Sequence, residues 1–167
     1  MLSTFYAAFS PVCFTVLGLW LVVVQTRHGD WSGSAEHRRR AYAVSLHFAL
    51  PGLMSLLSLV DPNSKAMWQV SFTVIAALGV VALIALRTSA TSGVNLAAEI
   101  AHWVAVALYA VIGIVAVRPA ILSDLGINIA PLRVEAIALS LLLFLGLNVA
   151  WLLMFDTPDR PVRGAPS

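Results

Sequence analysis

Five stretches of about twenty predominantly apolar residues, near 4–25, 41–60, 67–86, 100–117 and 134–155, leave this chain few ways to fold. A bilayer core of about 30 Å takes roughly 20 residues of helix to cross. Each stretch is rich in Leu, Val and Ala, and each is bounded by charges, Pro or Gly. The sequence therefore predicts an all-α integral membrane protein, a five-transmembrane-helix bundle filling residues 1–155. A disordered cytoplasmic tail is expected over 156–167, where three prolines fall. The first stretch lacks a basic leader and an A-x-A cleavage site, and its apolar run is too long for a signal peptide, so it is read as a mature helix.

Composition closes the soluble alternative. The chain is 60% hydrophobic and only 11% charged, with a mean hydropathy of +0.90. A water-soluble domain of this size leaves too much surface exposed to hide that apolar content. The net charge of +2 and pI near 9.1 do not signal nucleic acid, because the basic residues sit at the ends of apolar stretches, as topogenic charges do. Nine arginines against the single Lys65 match the usage of a GC-rich genome, so a bacterial cytoplasmic (inner) membrane is expected. The lone Cys13 excludes an intrachain disulfide.

Orientation follows from the same charges. With the first loop inside, Arg27, Arg38, Arg39, Arg40, Arg87, Arg160 and Arg163 lie in the cytoplasm, against Lys65, Arg118 and Arg133 outside. The positive-inside rule then gives N-terminus out and C-terminus in. Asp61, Pro62, Asn63 and Ser64 form a tight turn. Asn95 is placed to cap the fourth span. Ile121, Leu122, Leu125 and Ile127 suggest a segment lying in the membrane interface between Pro119 and Pro131. Trp31, Trp68, Trp103 and Trp151 fall near span ends, as an aromatic belt requires.

Helices in lipid associate through close packing and polar contacts, so small and polar residues are expected on buried faces. On the first span these are Pro11, Thr15, Gly18 and Gln25; on the second, His47, Pro51, Ser58 and Asp61. The third offers Gln69, Thr73 and Ala76, the fourth Glu99, His102, Tyr109 and Gly113, and the fifth Ser140 and Asn148 with Phe144 between them. Packing alone accounts for most of these residues.

Ionisable groups inside a span cost about 2.5–3.5 kcal/mol at its centre, so they attract functional hypotheses first. His47, Glu99 and His102 qualify, and the strongly polar Asn148 joins them. Glu135 lies near an outer end, where water is expected to reach it. At 1.5 Å per residue, His47 and Asn148 lie about 9–10 Å from the inner ends of their spans, and Glu99 and His102 lie at the inner end of theirs. The four form an expected polar intramembrane locus. Imidazole titrates near neutrality and ligates metals, so such a locus suits a proton or a cation. Pro51 strengthens it, because proline removes a backbone donor and clashes with the carbonyl of His47. Each histidine precedes an aromatic residue (Phe48, Trp103) at the start of a helical hairpin, a faint tandem symmetry.

The expected function is a homo-oligomeric transport or permeation protein for a small solute or ion, with Ser58 and Asp61 lining a path from His47. A structural or assembly subunit of a larger membrane complex is the alternative. A haem- or quinone-binding redox subunit using His47 and His102 comes third. Arg38, Arg39 and Arg40 are candidates for lipid headgroups. No phosphate-binding loop, H-E-x-x-H, G-x-S-x-G or catalytic carboxylate pair occurs, which argues against a hydrolase or ATPase. The sequence names no cofactor, and whether the histidines hold a metal is open.

Overall fold

Backbone hydrogen bonding has no reason to stop at the edge of an apolar stretch, and the helices run past the limits that hydropathy suggests. The computed structural model describes residues 2–31, 33, 35–61, 64–87 and 96–155. Along them lie α1 (Leu2–Thr26), α2 (His28–Trp31), α3 (Ala35–Val60), α4 (Lys65–Arg87), α5 (Leu96–Val117), α6 (Ile121–Asp124) and α7 (Pro131–Phe155). Helix accounts for 91% of the described residues, and none of them lies in a strand. Five of the helices, α1, α3, α4, α5 and α7, are long and apolar enough to cross a membrane. The largest extension is at α3, which starts at Ala35 rather than near 41. The basic cluster assigned to the first loop therefore lies on the helix, where Arg40 pairs with Glu36 one turn earlier. The tail 156–167 and the expected cap Asn95 lie outside the described residues, as do Pro62 and Asn63.

Local chemistry sets the helix ends. Ser64 closes the turn by donating its N–H to Asp61, and its hydroxyl accepts from the Met67 N–H at 3.2 Å, capping α4. Pro131 opens α7, where a missing N–H costs nothing. Between α5 and α7, α6 ends in a Schellman motif. The Gly126 N–H reaches Ser123 and the Ile127 N–H reaches Leu122, with Gly126 at φ 73°, which only glycine adopts cheaply. Leu122 is buried while Leu125 and Ile127 are exposed, so this loop presents apolar side chains outward as an interfacial segment would.

The five long helices alternate in direction, and α3 is the hub. Half of its membrane-length core is buried, more than in any other span. It packs on α1, α4 and α7, and α5 reaches it through Tyr109, whose hydroxyl donates to the Leu46 carbonyl at 3.2 Å. The first and last long helices run parallel and touch at both ends. The Tyr6 hydroxyl donates to Leu132 at 3.1 Å, and Arg27 donates to Met154 at 3.2 Å.

Two expected packing stripes point the wrong way. On α1, Pro11, Thr15, Gly18 and Gln25 are exposed, and on α7 so are Ser140, Phe144 and Asn148. The reason is that one small residue per contact suffices. Gly52 of α3 receives α1, where a Cβ would stand 2.9 Å from that of Cys13. This leaves α1 free to bury Tyr6, Phe9 and Trp20. Gly146 of α7 likewise lies against His47 and Phe48, and Gly79 of α4 against the Tyr109 ring. The stripes of α4 and α5 do turn inward, with Gln69 donating to Ala116 at 2.9 Å. Two of the expected belt tryptophans also depart: Trp103 and Trp151 are exposed, but Trp31 and Trp68 are buried.

Candidate functional site

His47 is carried into the core by the middle of α3 and is 3% exposed. Its seat depends on Gly146, because a Cβ there would lie only 2.6 Å from that of His47. The His47 Nδ1–H donates to the Ala43 carbonyl, one turn back, at 2.7 Å. A neutral ring so held presents Nε2 as an acceptor. That nitrogen is buried and has no hydrogen-bond partner among the described residues. His102 of α5 is half-buried, lies within electrostatic reach of His47, and also has a buried Nε2 without a partner.

Beside them, at the junction of α4 and α5, Arg87 forms an ion pair with Glu99, and its guanidinium centre lies 4.6 Å from the centre of the Trp103 ring. The two ion-pair side chains are 38% and 41% exposed, which places this pair at the mouth of the site rather than in the core. Of the four residues expected in the polar locus, His47 lies within electrostatic reach of His102, and His102 within reach of Glu99. Arg87 joins them, although the sequence marks it only as a topogenic charge. Asn148 does not. It follows Gly146 by two residues, about 200° around the helix, so the turn that brings Gly146 inward sends Asn148 out. Its amide donates to Phe144 on its own helix at 2.7 Å.

Pro51 lies one turn beyond His47, inside a helix that continues to Val60. Carbonyls flanking it are taken up by hydroxyls. Leu46 accepts from Tyr109, Pro51 from Ser55 at 2.9 Å, and Gly52 from Ser10 at 3.3 Å. None of these three is the His47 carbonyl, the one that loses its helical donor to Pro51. Further along, Ser58 is half-buried and donates to Ser55 at 2.7 Å, while Asp61 is exposed at the helix end. The serines on this face therefore turn their hydroxyls into their own helix. Arg38 and Arg39 are exposed on the first turns of α3.

A second polar cluster occupies the opposite end of the bundle. Glu135, expected at water, is fully buried. One carboxylate oxygen accepts the indole N–H of Trp68, and the other is buried without a partner among the described residues. Tyr6 lies within electrostatic reach. Phe72 packs against both aromatic rings, edge-on to Tyr6 at 6.2 Å and tilted to Trp68 at 6.4 Å. The signal in the sequence was depth. Tyr6, Trp68 and Glu135 each fall about one turn from the start of α1, α4 and α7, three helices that run in the same direction.

No group of three or more His, Cys, Asp or Glu side chains among the described residues is placed to hold a metal ion. The two imidazoles can accept a proton or supply two ligands. No protein-family model, no curated protein and no solved structure matches this chain. What the fold defines is an all-helical protein with five candidate membrane spans, a multi-pass architecture.

Proposed function

We propose that this chain is a small transport protein of a bacterial cytoplasmic membrane, working as a homo-oligomer, in which His47 and His102 accept a proton or a small cation. The observation that carries the reading is that His47 and His102, within electrostatic reach of each other, each bury an Nε2 with no hydrogen-bond partner among the described residues. Leaving a buried polar atom unpaired costs about 1–3 kcal/mol, and a bound ligand offsets that cost. The Arg87–Glu99 pair stands where a charge would enter. Pro51 supplies the point at which α3 can bend, and Ser58 and Asp61 mark the onward path along the same helix. Exposed Thr15 and Asn148 support self-association, because polar groups facing lipid seek partners on another helix. The basic residues Arg38 and Arg39 are placed for anionic headgroups in the orientation with the N-terminus outside.

The same outward polar faces also suit a structural subunit docked to foreign helices. Native mass spectrometry after gentle extraction separates the two, since a homo-oligomer supports transport and a stoichiometric hetero-complex supports the subunit reading. The direct test is flux in liposomes under a pH gradient. Wild-type protein is expected to conduct, and His47→Ala to lose most of that flux. Flux that survives His47→Ala combined with Asp61→Ala removes the mechanism.

A further inference from the structure

We propose that Glu135 is a proton-binding site, carried in the closed bundle as the neutral acid and exchanging its proton at the end of the molecule that holds Lys65 and Arg133. The argument starts from acceptor capacity. An ionised carboxylate has about four acceptor sites, and an ionised group inside a span costs about 2.5–3.5 kcal/mol unless it is paired. Glu135 is fully buried, and among the described residues one oxygen has a single donor, Trp68 Nε1, and the other has none. No described cation pairs with it. Lys65 and Arg133 are exposed, and Arg118 is engaged with Asp124 at 2.9 Å.

The surroundings narrow the ligand further. From α1, Tyr6 is the titratable group that reaches Glu135, and its hydroxyl proton is committed to the Leu132 carbonyl. From α4 comes Trp68, which does not titrate. Toward this end, the buried faces of α3 beyond His47 and of α5 beyond Tyr109 hold no titratable side chain. A metal cation needs several oxygen ligands, and this pocket of aromatic rings offers one free carboxylate oxygen. A proton needs only that atom. Binding is the simple step in which the free oxygen takes up H⁺ and the charge is neutralised. Release returns the proton to water once Tyr6 and Trp68, 3% and 9% exposed, part from α7.

This inference does not rest on the histidine site, and the two fail separately. The infrared difference between wild type and Glu135→Gln reads the carboxyl directly. A protonated-carboxyl C=O band at neutral pH, lost in Glu135→Gln and lost as the pH is raised, is expected. Carboxylate bands alone, from mildly acidic pH upward, would overturn the proposal. Should Glu135→Gln fail to fold, a lipid-soluble carbodiimide on the wild-type protein decides, because it reacts with protonated carboxyls in apolar surroundings. Fragment masses are expected to place the adduct on Glu135 and to show it declining with rising pH. An unmodified Glu135 at every pH would overturn the proposal equally. A silent flux assay leaves both readouts standing.

Discussion

The two ends of this bundle bury ionisable groups in opposite ways. At the end holding Arg87, the groups are graded. His47 is sealed in the core, His102 is half-buried, and the Arg87–Glu99 pair stands two-fifths exposed at the rim. At the end holding Lys65, one carboxyl is fully enclosed by aromatic side chains and held by a single indole. The first arrangement shares its electrostatic cost among partners that step toward water. The second concentrates it on one atom. Removing the rim pair of the graded site is therefore expected to cost less stability than removing the one donor of the enclosed site.

Substitutions can break or sharpen that contrast. The largest loss is expected from Gly146→Ala, because the new Cβ would meet that of His47 at 2.6 Å, and neither can swing aside. Overpacking of this kind costs about 1–3 kcal/mol, and this case belongs at the upper limit, read from SDS-titrated unfolding in micelles. Next is Trp68→Phe, which strands the Glu135 oxygen and should cost about 1–3 kcal/mol. Combining it with Glu135→Leu should recover much of the loss, since removing both partners leaves nothing unpaired; a purely additive double mutant would deny the coupling. Arg87→Ala removes a half-exposed pair worth up to about 1 kcal/mol, and its effect should shrink in high salt. If Arg87→Ala costs as much as Trp68→Phe, the graded end is not graded. The smallest change is expected at Gly18→Ala, where a Cβ meets nothing within 4 Å and the helix gains propensity, for a net effect within about 1 kcal/mol. Equal losses at Gly18 and Gly146 would erase the difference between outward and inward glycines.

The number and order of the spans were legible because hydropathy is a property of each segment by itself. Helix faces were legible only in part. The rule that small and polar residues mark interfaces held for α4 and α5, where Gln69 and Tyr109 bond to neighbouring helices. It misled on α1, which meets the small residue of its partner, Gly52, and on α7, which turns Gly146 and its alanines inward rather than Ser140 and Asn148. That His47 and His102 come within electrostatic reach was legible in so far as both fall in the same half of the bundle. Asn148 falls in that half too but does not face inward, and direction depends on which neighbour α7 meets. Glu135 was misplaced for the complementary reason. One turn from a helix end is close to water only if nothing covers it, and its cover comes from Tyr6 and Trp68, distant in sequence.

The parallel seam between α1 and α7 also has a consequence for biogenesis. Its two hydrogen bonds join residues 126 and 127 positions apart, Tyr6 to Leu132 and Arg27 to Met154. At about 5–20 residues per second, a ribosome takes on the order of ten seconds to make that intervening chain. During that time the Tyr6 hydroxyl waits for the Leu132 carbonyl, and the nascent bundle stays open along one side. The last helix acts as the latch, and a chain released before it emerges would keep an unfinished seam along α1.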